Sequence, residues 1–265
     1  MVEFQRKDFY SYEDFLEIMR LLRAPGGCPW DREQTHSSIR RNFLEETYEV
    51  LDAIDHDDAS GMCEELGDVL MQVAFHAQIE AERGRFTMAN VVDGVARKLV
   101  YRHPHVFGDV QADTSQQVLA NWDVLKRREK GQRSTADAVE AVPHTLPALW
   151  RAEKIQSKTA KAGFDWTSSL QALDKLEEEV RDALEAGQAA DAPHGIREEL
   201  GDTLFMAAKI AQMSGVDPED ALHRACDKFD RRFRAVEEAA DKPLPECGEA
   251  ELLALWNDAK SHDPS

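Results

Sequence analysis

Apolar residues along this chain recur every three to four positions, the spacing of one face of an α-helix, and the strict alternation of a strand is scarce. Ser11 and Asp14 make a capping-box-like start ahead of Phe15, Ile18, Met19 and Leu22. A second helix carries Ile39, Phe43, Val50 and Ile54, and a third runs from about Ala59 to Glu82 through Leu66, Val69, Leu70 and Val73. The fourth follows Thr87 with Val91, Val92, Val95 and Leu99. It ends before His103-Pro104, because proline disfavours the helical conformation of the residue preceding it. A fifth, from about Thr114 to Arg128, carries Val118, Trp122 and Leu125. From Lys130 to Pro147 the rhythm lapses into polar and small residues with two prolines, which reads as a linker. Helices resume at about Ala148, and Asp217-Pro218-Glu219 marks one start, an N-cap before a proline at the first helical position. The expected architecture is all-α, with domains at 1–129 and 148–265 joined by a linker at 130–147.

The two halves repeat. Glu64-Glu65-Leu66-Gly67-Asp68 recurs letter for letter as Glu198-Glu199-Leu200-Gly201-Asp202, 134 residues later. Trp122 and Lys126 return as Trp256 and Lys260 at the same offset. Lys98 and Arg102 match Lys228 and Arg232 at 130, and Trp30 matches Trp166 at 136. Four features in the same order point to a tandem duplication, and the period is too long for a solenoid.

Composition narrows the classes. The chain has 265 residues, 42% hydrophobic and 31% charged, as expected of a globular protein with a real core. Its 32 basic and 51 acidic residues give a net charge of −19, a field that repels phosphate backbones and argues against non-specific nucleic-acid binding. The longest apolar candidate, Val69 to Ile79, is broken by Gln72, His76 and Gln78, so no membrane span is expected. Cys28, Cys63, Cys226 and Cys247 are scattered, without a C-x-x-C pair, so neither a zinc ribbon nor a disulfide framework is indicated. With no signal-peptide pattern at the N-terminus, a cytoplasmic location is expected.

The chemistry lies in the acids. Glu46 and Glu49 are three apart, as are Glu65 and Asp68, so each pair shares a helix face. The short connection around Asp55 to Gly61 folds the two helices into an antiparallel hairpin, and the four carboxylates converge on one seam. Held that close without a cation they would repel strongly and their pKa values would rise. All-oxygen ligation favours Mg²⁺, with Mn²⁺ as a substitute, over zinc. The same arrangement returns as Glu178-Glu179 with Asp182, then Glu199 with Asp202. A glutamate-rich helix is ordinarily a solvated face. A fixed spacing beside Leu66 and Val69, repeated in both halves, goes beyond that reading.

Basic and aromatic residues complete the set. Lys98 with Arg102, and Lys228 with Arg232, sit one turn apart and suit a polyphosphate clamp. Trp122 with Lys126, and Trp256 with Lys260, place a ring one turn from an ammonium, suited to stacking on a base near phosphate. The alternatives are surface cations near helix ends and core tryptophans.

E-E-x-x-E, then E-E-x-G-D about 15 residues on, then K-x-x-x-R, resembles the MazG nucleoside triphosphate pyrophosphohydrolases. Gly27-Cys28-Pro29-Trp30-Asp31, Arg102-His103-Pro104-His105-Val106-Phe107 and Gly163-Phe164-Asp165-Trp166 are similar to that family's segments as well. The resemblance implies the all-α NTP pyrophosphatase fold, Mg²⁺ dependence, a homodimer, and hydrolysis of NTPs and dNTPs to monophosphate and pyrophosphate. Carried over by position, it implies metal ligands at Glu46, Glu49, Glu65 and Asp68, and at Glu179, Asp182, Glu199 and Asp202. Asp182 departs from the motif, which has glutamate there. Nucleotide contacts would fall at Lys175, Leu176, Glu177, Glu178 and Glu179, and at Gly195, Ile196, Arg197 and Glu198. Others would be Asp202, then Lys228, Phe229, Asp230, Arg231 and Arg232, and Trp256.

The implied reaction is attack of a metal-activated water on the α-phosphorus with pyrophosphate leaving in line. Glu178 or Glu45, or Glu198 or Glu64, would accept the proton, and Lys228 and Arg232 would stabilise the leaving group. Other chemistries fit poorly. No G-x-x-x-x-G-K-[ST] loop is present, and the sole E-x-x-H, Glu33 to His36, lies outside both hairpins and argues against a di-iron bundle. The rival from a different class is an acidic helical module that binds nucleotides or proteins without turnover.

Overall fold

A computed structural model describes residues 2–188 and 192–263. Among these residues it contains thirteen α-helices and one short 3-10 turn, and no strand. The chain divides into two compact units, the first ending at Leu125 and the second beginning at Lys126.

In the first unit, α1 (Tyr12–Arg23) opens with the expected box: the Ser11 hydroxyl accepts from the Asp14 amide at 3.2 Å while the Asp14 carboxylate accepts from the Ser11 amide at 3.0 Å. The short α2 (Pro29–Glu33) follows, then α3 (Arg40–Asp55) and α4 (Ala59–Glu82), which pair as a hairpin. Their link is three residues long. It turns through Asp57 at φ 53°, and Asp58 caps α4 by accepting from the amides of Ser60 and Gly61. The core gathers Met19, Ile39, Ala74, Phe75 and Ile79, with Phe15, Leu16 and Met71 packed against it. The buried residues of α4 all lie in its C-terminal half, so its N-terminal half keeps Glu65 and Asp68 within reach of solvent. Glu80, buried in that C-terminal half, is held below the ordinary carboxylate range, first by the hydrogen bond to His36 and then by Arg85. The unit continues through α5 (Met88–Arg102), capped by Thr87 as expected, α6 (Pro104–Phe107), and α7 (Ser115–Glu129), within which the division falls.

In the second unit, α8 (Thr135–Glu140) lies inside the stretch expected to be a linker. Six residues are too few to display a hydrophobic period. A capping box decides the matter locally: Ser134 accepts from the Asp137 amide at 3.0 Å and Asp137 accepts from the Ser134 amide at 3.0 Å. Ala138 and Val142 are buried there, and α8 packs on α9 (Ala148–Ala160). Next come α10 (Ser169–Gln188) and α11 (Ala192–Met213), a long hairpin equivalent to α3 and α4. Gly187 on α10 faces Ile196 on α11, where an added Cβ would lie 3.3 Å from Ile196 Cδ1, and a Cβ on Gly195 would make ordinary contact with Ala186. Then α12 (Pro218–Ala239), capped by Asp217, leads through the 3-10 turn (Leu244–Glu246) to α13 (Glu249–His262). The Trp150 indole donates to the Asp217 carboxylate at 2.8 Å and so ties α9 to the start of α12.

Candidate metal centres

The α3–α4 hairpin brings carboxylate oxygens of Glu46, Glu49 and Glu65 within 4.8 Å of one another. Asp68 is outside this trio, yet its charge acts on Glu46 and Glu65. Burial pushes the Glu46 carboxyl above its ordinary range, the charges of Asp68 and Glu49 add to that, and a hydrogen bond from Gln72 opposes it. Glu65 is raised as well, by burial and then by the charge of Glu49 and the hydrogen bond they share. In the second unit the trio is Glu179, Glu199 and Asp202, again within 4.8 Å. Asp182 stands outside it, but after burial its charge is the largest cause of the raised pKa of Glu199, ahead of Glu179 and Asp202.

Both trios are hard oxygen donors in an environment that resists multiple ionisation. A hard divalent cation relieves that repulsion and suits this donor set, in which no sulfur or imidazole takes part.

Groups around the trios have other partners. Lys175 donates to Glu178 at 2.7 Å and lies 2.8 Å from Glu179, and its pKa is raised by those two carboxylates. One expected nucleotide contact is thus joined to a metal-ligand candidate, one turn away on the same helix. Glu178 is engaged by that lysine and Glu45 by Arg41 at 2.7 Å, while Glu64 and Glu198 add repulsion to Glu65 and Glu199. Leu176 is half-buried and Glu177 pairs with Arg181 at 2.9 Å. Gly195 and Ile196 pack against the end of α10, and Arg197 is exposed.

On α12, Lys228 is exposed and Asp230 pairs with Arg234. Arg232 and Arg231 bind Asp263 at 2.8 and 3.4 Å. Burial pushes the Asp263 carboxyl up, but the two arginines hold it below its ordinary value. Trp256 packs on Phe229, with ring centroids 5.3 Å apart and planes at 45°, while Lys260 is exposed. In the first unit the Arg102 guanidinium lies over the Trp122 ring at 5.3 Å, His103 meets that ring edge-on at 4.9 Å and Lys98 is exposed; Lys126, the first residue of the second unit, is half-buried.

Two neighbours were missed in the sequence. Gln72 lies one turn beyond Asp68, so its place beside Glu46 was readable from spacing, whereas nothing in the local pattern around Asp263 announces an arginine clamp.

Comparison with known proteins gives the same picture. The model of the MazG nucleotide pyrophosphohydrolase domain matches residues 34–107 and again 167–236, segments that hold both sets of acids and both Lys/Arg pairs. A nucleoside triphosphate pyrophosphohydrolase of Escherichia coli (strain K12) is 46% identical over 224 residues, 84% of this chain and 85% of that one. A protein of Thermotoga maritima named nucleoside triphosphate pyrophosphohydrolase/pyrophosphatase MazG is 41% identical over 255 residues, 95% of this chain and 96% of the relative. With a carboxylate hairpin in each half and matches that span both, the chain belongs to the MazG nucleotide pyrophosphohydrolase family and carries its domain twice.

Proposed function

We propose that the protein hydrolyses nucleoside and deoxynucleoside triphosphates to the monophosphate and pyrophosphate, with Mg²⁺ or, in its place, Mn²⁺. The observation that carries this reading is the pair of carboxylate trios, Glu46/Glu49/Glu65 and Glu179/Glu199/Asp202, on equivalent hairpins. Asp68 and Asp182 complete the negative field at each. A divalent ion held there would activate a water and screen the triphosphate. Glu178, Glu198, Glu45 and Glu64 are read as the flanking acids, one of which would accept the proton. Of these, Glu64 and Glu198 bear directly on trio members and are not occupied by Lys175 or Arg41. Lys228 and Arg232 would oppose the charge that develops on pyrophosphate, with Asp263 orienting Arg232.

Each half, 1–129 and 148–265, is read as one such module, acting in the cytoplasm as part of a homodimer. Large apolar side chains left in solvent on the second hairpin, Val180, Leu184, Leu200 and Leu204, support burial against a second copy. No helix among the described residues is long and apolar enough to cross a membrane.

The test incubates the protein with each NTP and dNTP plus Mg²⁺ and separates the products. Monophosphate with pyrophosphate is expected. Orthophosphate with diphosphate would overturn the reading, and absence of turnover would favour a binding module. Glu46→Ala and Glu179→Ala, made separately, assign the activity to a half.

A further inference from the structure

We propose that Glu80, His36 and His76 form a proton-operated latch that fastens the loop between α2 and α3 onto α4. The latch is closed while the two imidazoles share at most one added proton, and it opens once both are charged. It stands independently of the nucleotide-hydrolase reading. His36 lies in residues 34–39, which join α2 to α3, while His76 and Glu80 sit one turn apart on α4. Nε2 of His36 is 2.5 Å from Glu80 Oε1, and its Nδ1 is 2.7 Å from Nδ1 of His76. One ring of the loop thus spans two side chains of the helix. The two imidazoles are near parallel, at 9°, with centroids 5.0 Å apart.

The hydrogens set the logic. Glu80 is 5% exposed, accepts from Arg85 at 2.6 Å and from Arg83 at 3.1 Å, and is held ionised, so toward His36 it can only accept. A neutral His36 therefore carries its one hydrogen on Nε2 and leaves Nδ1 bare, to accept from Nδ1–H of His76. One added proton lets His36 donate at both nitrogens, and the bare Nδ1 is then that of His76. The bond between the rings reverses and survives. A second proton puts a hydrogen on both Nδ1 atoms and a positive charge on both rings, and no acceptor is left between them.

The surroundings leave the imidazoles to titrate alone. From α3, His76 meets an uncharged ring, Phe43. Arg23 of α1 donates to the Gln34 carbonyl at 3.3 Å and is itself bound to Glu82 of α4, while Arg83 and Arg85 bind Glu80. These arginines and the two lowered carboxylates keep their charges between pH 8 and pH 5. Burial, and then the charge of His36, hold His76 below its ordinary value. A base held down in the closed state contributes stability that is complete above its free value of about 6.5 and is lost as pH falls from there through the closed-state value. Ile39, 3% exposed in the core, still anchors the far end of the loop, so opening frees the loop without unfolding the unit. The next residue begins α3, which carries Glu46 and Glu49, and the latch thereby sets the footing of that helix.

The experiment follows amide exchange over residues 34–39 from pH 8 to pH 5, corrected for the intrinsic pH dependence. The unaltered protein is expected to exchange there about fivefold faster or more below about pH 6.5, as one hydrogen bond is lost. In His76→Asn, whose side-chain amide gives a hydrogen to His36 and does not titrate, that step should vanish. A step that persists in the variant, or no step in the unaltered protein, would overturn the latch. Protein labelled with ¹⁵N-histidine supplies the independent check, because two nitrogens that share a hydrogen bond show a scalar coupling across it. Coupling between the two Nδ1 atoms is expected at pH 7.5 and should disappear over the pH range of the exchange step. If His76→Asn does not fold, or exchanges fast at every pH, this coupling decides. Its absence at pH 7.5, or its persistence below the exchange step, ends the proposal.

Discussion

Replacing Asp165 by asparagine removes the counter-charge of an ammonium that has little access to water. The Lys209 side chain is 4% exposed and its ion-pair partner Asp165 is 32% exposed. Stripping one partner from a fully buried pair costs about 3–5 kcal/mol. Asp165 retains part of its hydration, and Gln212 still accepts from Lys209, so a loss of about 2–3 kcal/mol is expected here. For a unit of this size that lowers the melting temperature by roughly 5–10 °C. The sign of the pH dependence is also set. Asp165 is held below its ordinary pKa, chiefly by the hydrogen bond from Lys209, against the upward push of burial. An acid whose folded pKa lies below its unfolded value contributes stability that is full above about pH 4 and is lost as pH falls through the folded value. Urea unfolding of the protein and of Asp165→Asn, followed from pH 8 to pH 3, should show a constant gap that closes below about pH 4. Asp165→Asn combined with Lys209→Met should recover much of the loss, because no charge is then left behind. A loss below about 0.5 kcal/mol, or a gap that persists to pH 3, would refute the buried-pair reasoning.

The carboxylate centres make a second prediction. Glu46, Glu65 and Glu199 are raised, so between the unfolded value near 4.3 and the folded one the native state holds more protons, and stability without metal falls as pH rises through that window. Metal needs the ionised carboxylates, so the rise in melting temperature on adding Mg²⁺ should be larger at pH 8 than at pH 5. At a hundredfold excess over the dissociation constant it corresponds to about 2.7 kcal/mol, and an equal rise at both pH values would contradict it. Ile79→Ala, at a site 2% exposed in the first unit's core, should cost about 2–4 kcal/mol in chemical denaturation; a loss under 1 kcal/mol would mean the site relaxes to fill the gap.

Helix boundaries were legible where local chemistry and periodicity agreed. The third predicted helix, from about Ala59 to Glu82, is α4, and Ser11, Thr87 and Asp217 cap where expected. What escaped was α8, whose stability comes from a capping box and two buried small residues rather than a periodic face. At the centres, spacing three apart on paired helices brought the acids together, but it could not say which oxygens would lie closest. Asp68 and Asp182 contribute charge from outside the trios, while Asp202, an aspartate too, lies inside one. A cavity beside α11, lined by Gln156, Asp165 and Lys209 among others, was the least legible feature. These three lie on different segments, and only the fold brings them together.

The site of bond cleavage can be read in ¹⁸O-enriched water. Hydrolysis of an NTP by the Mg²⁺-loaded protein should place the heavy oxygen in the nucleoside monophosphate and leave pyrophosphate unlabelled, because water attacks the α-phosphorus. Label found in pyrophosphate, with none in the monophosphate, would place the attack on the β-phosphorus and contradict the mechanism.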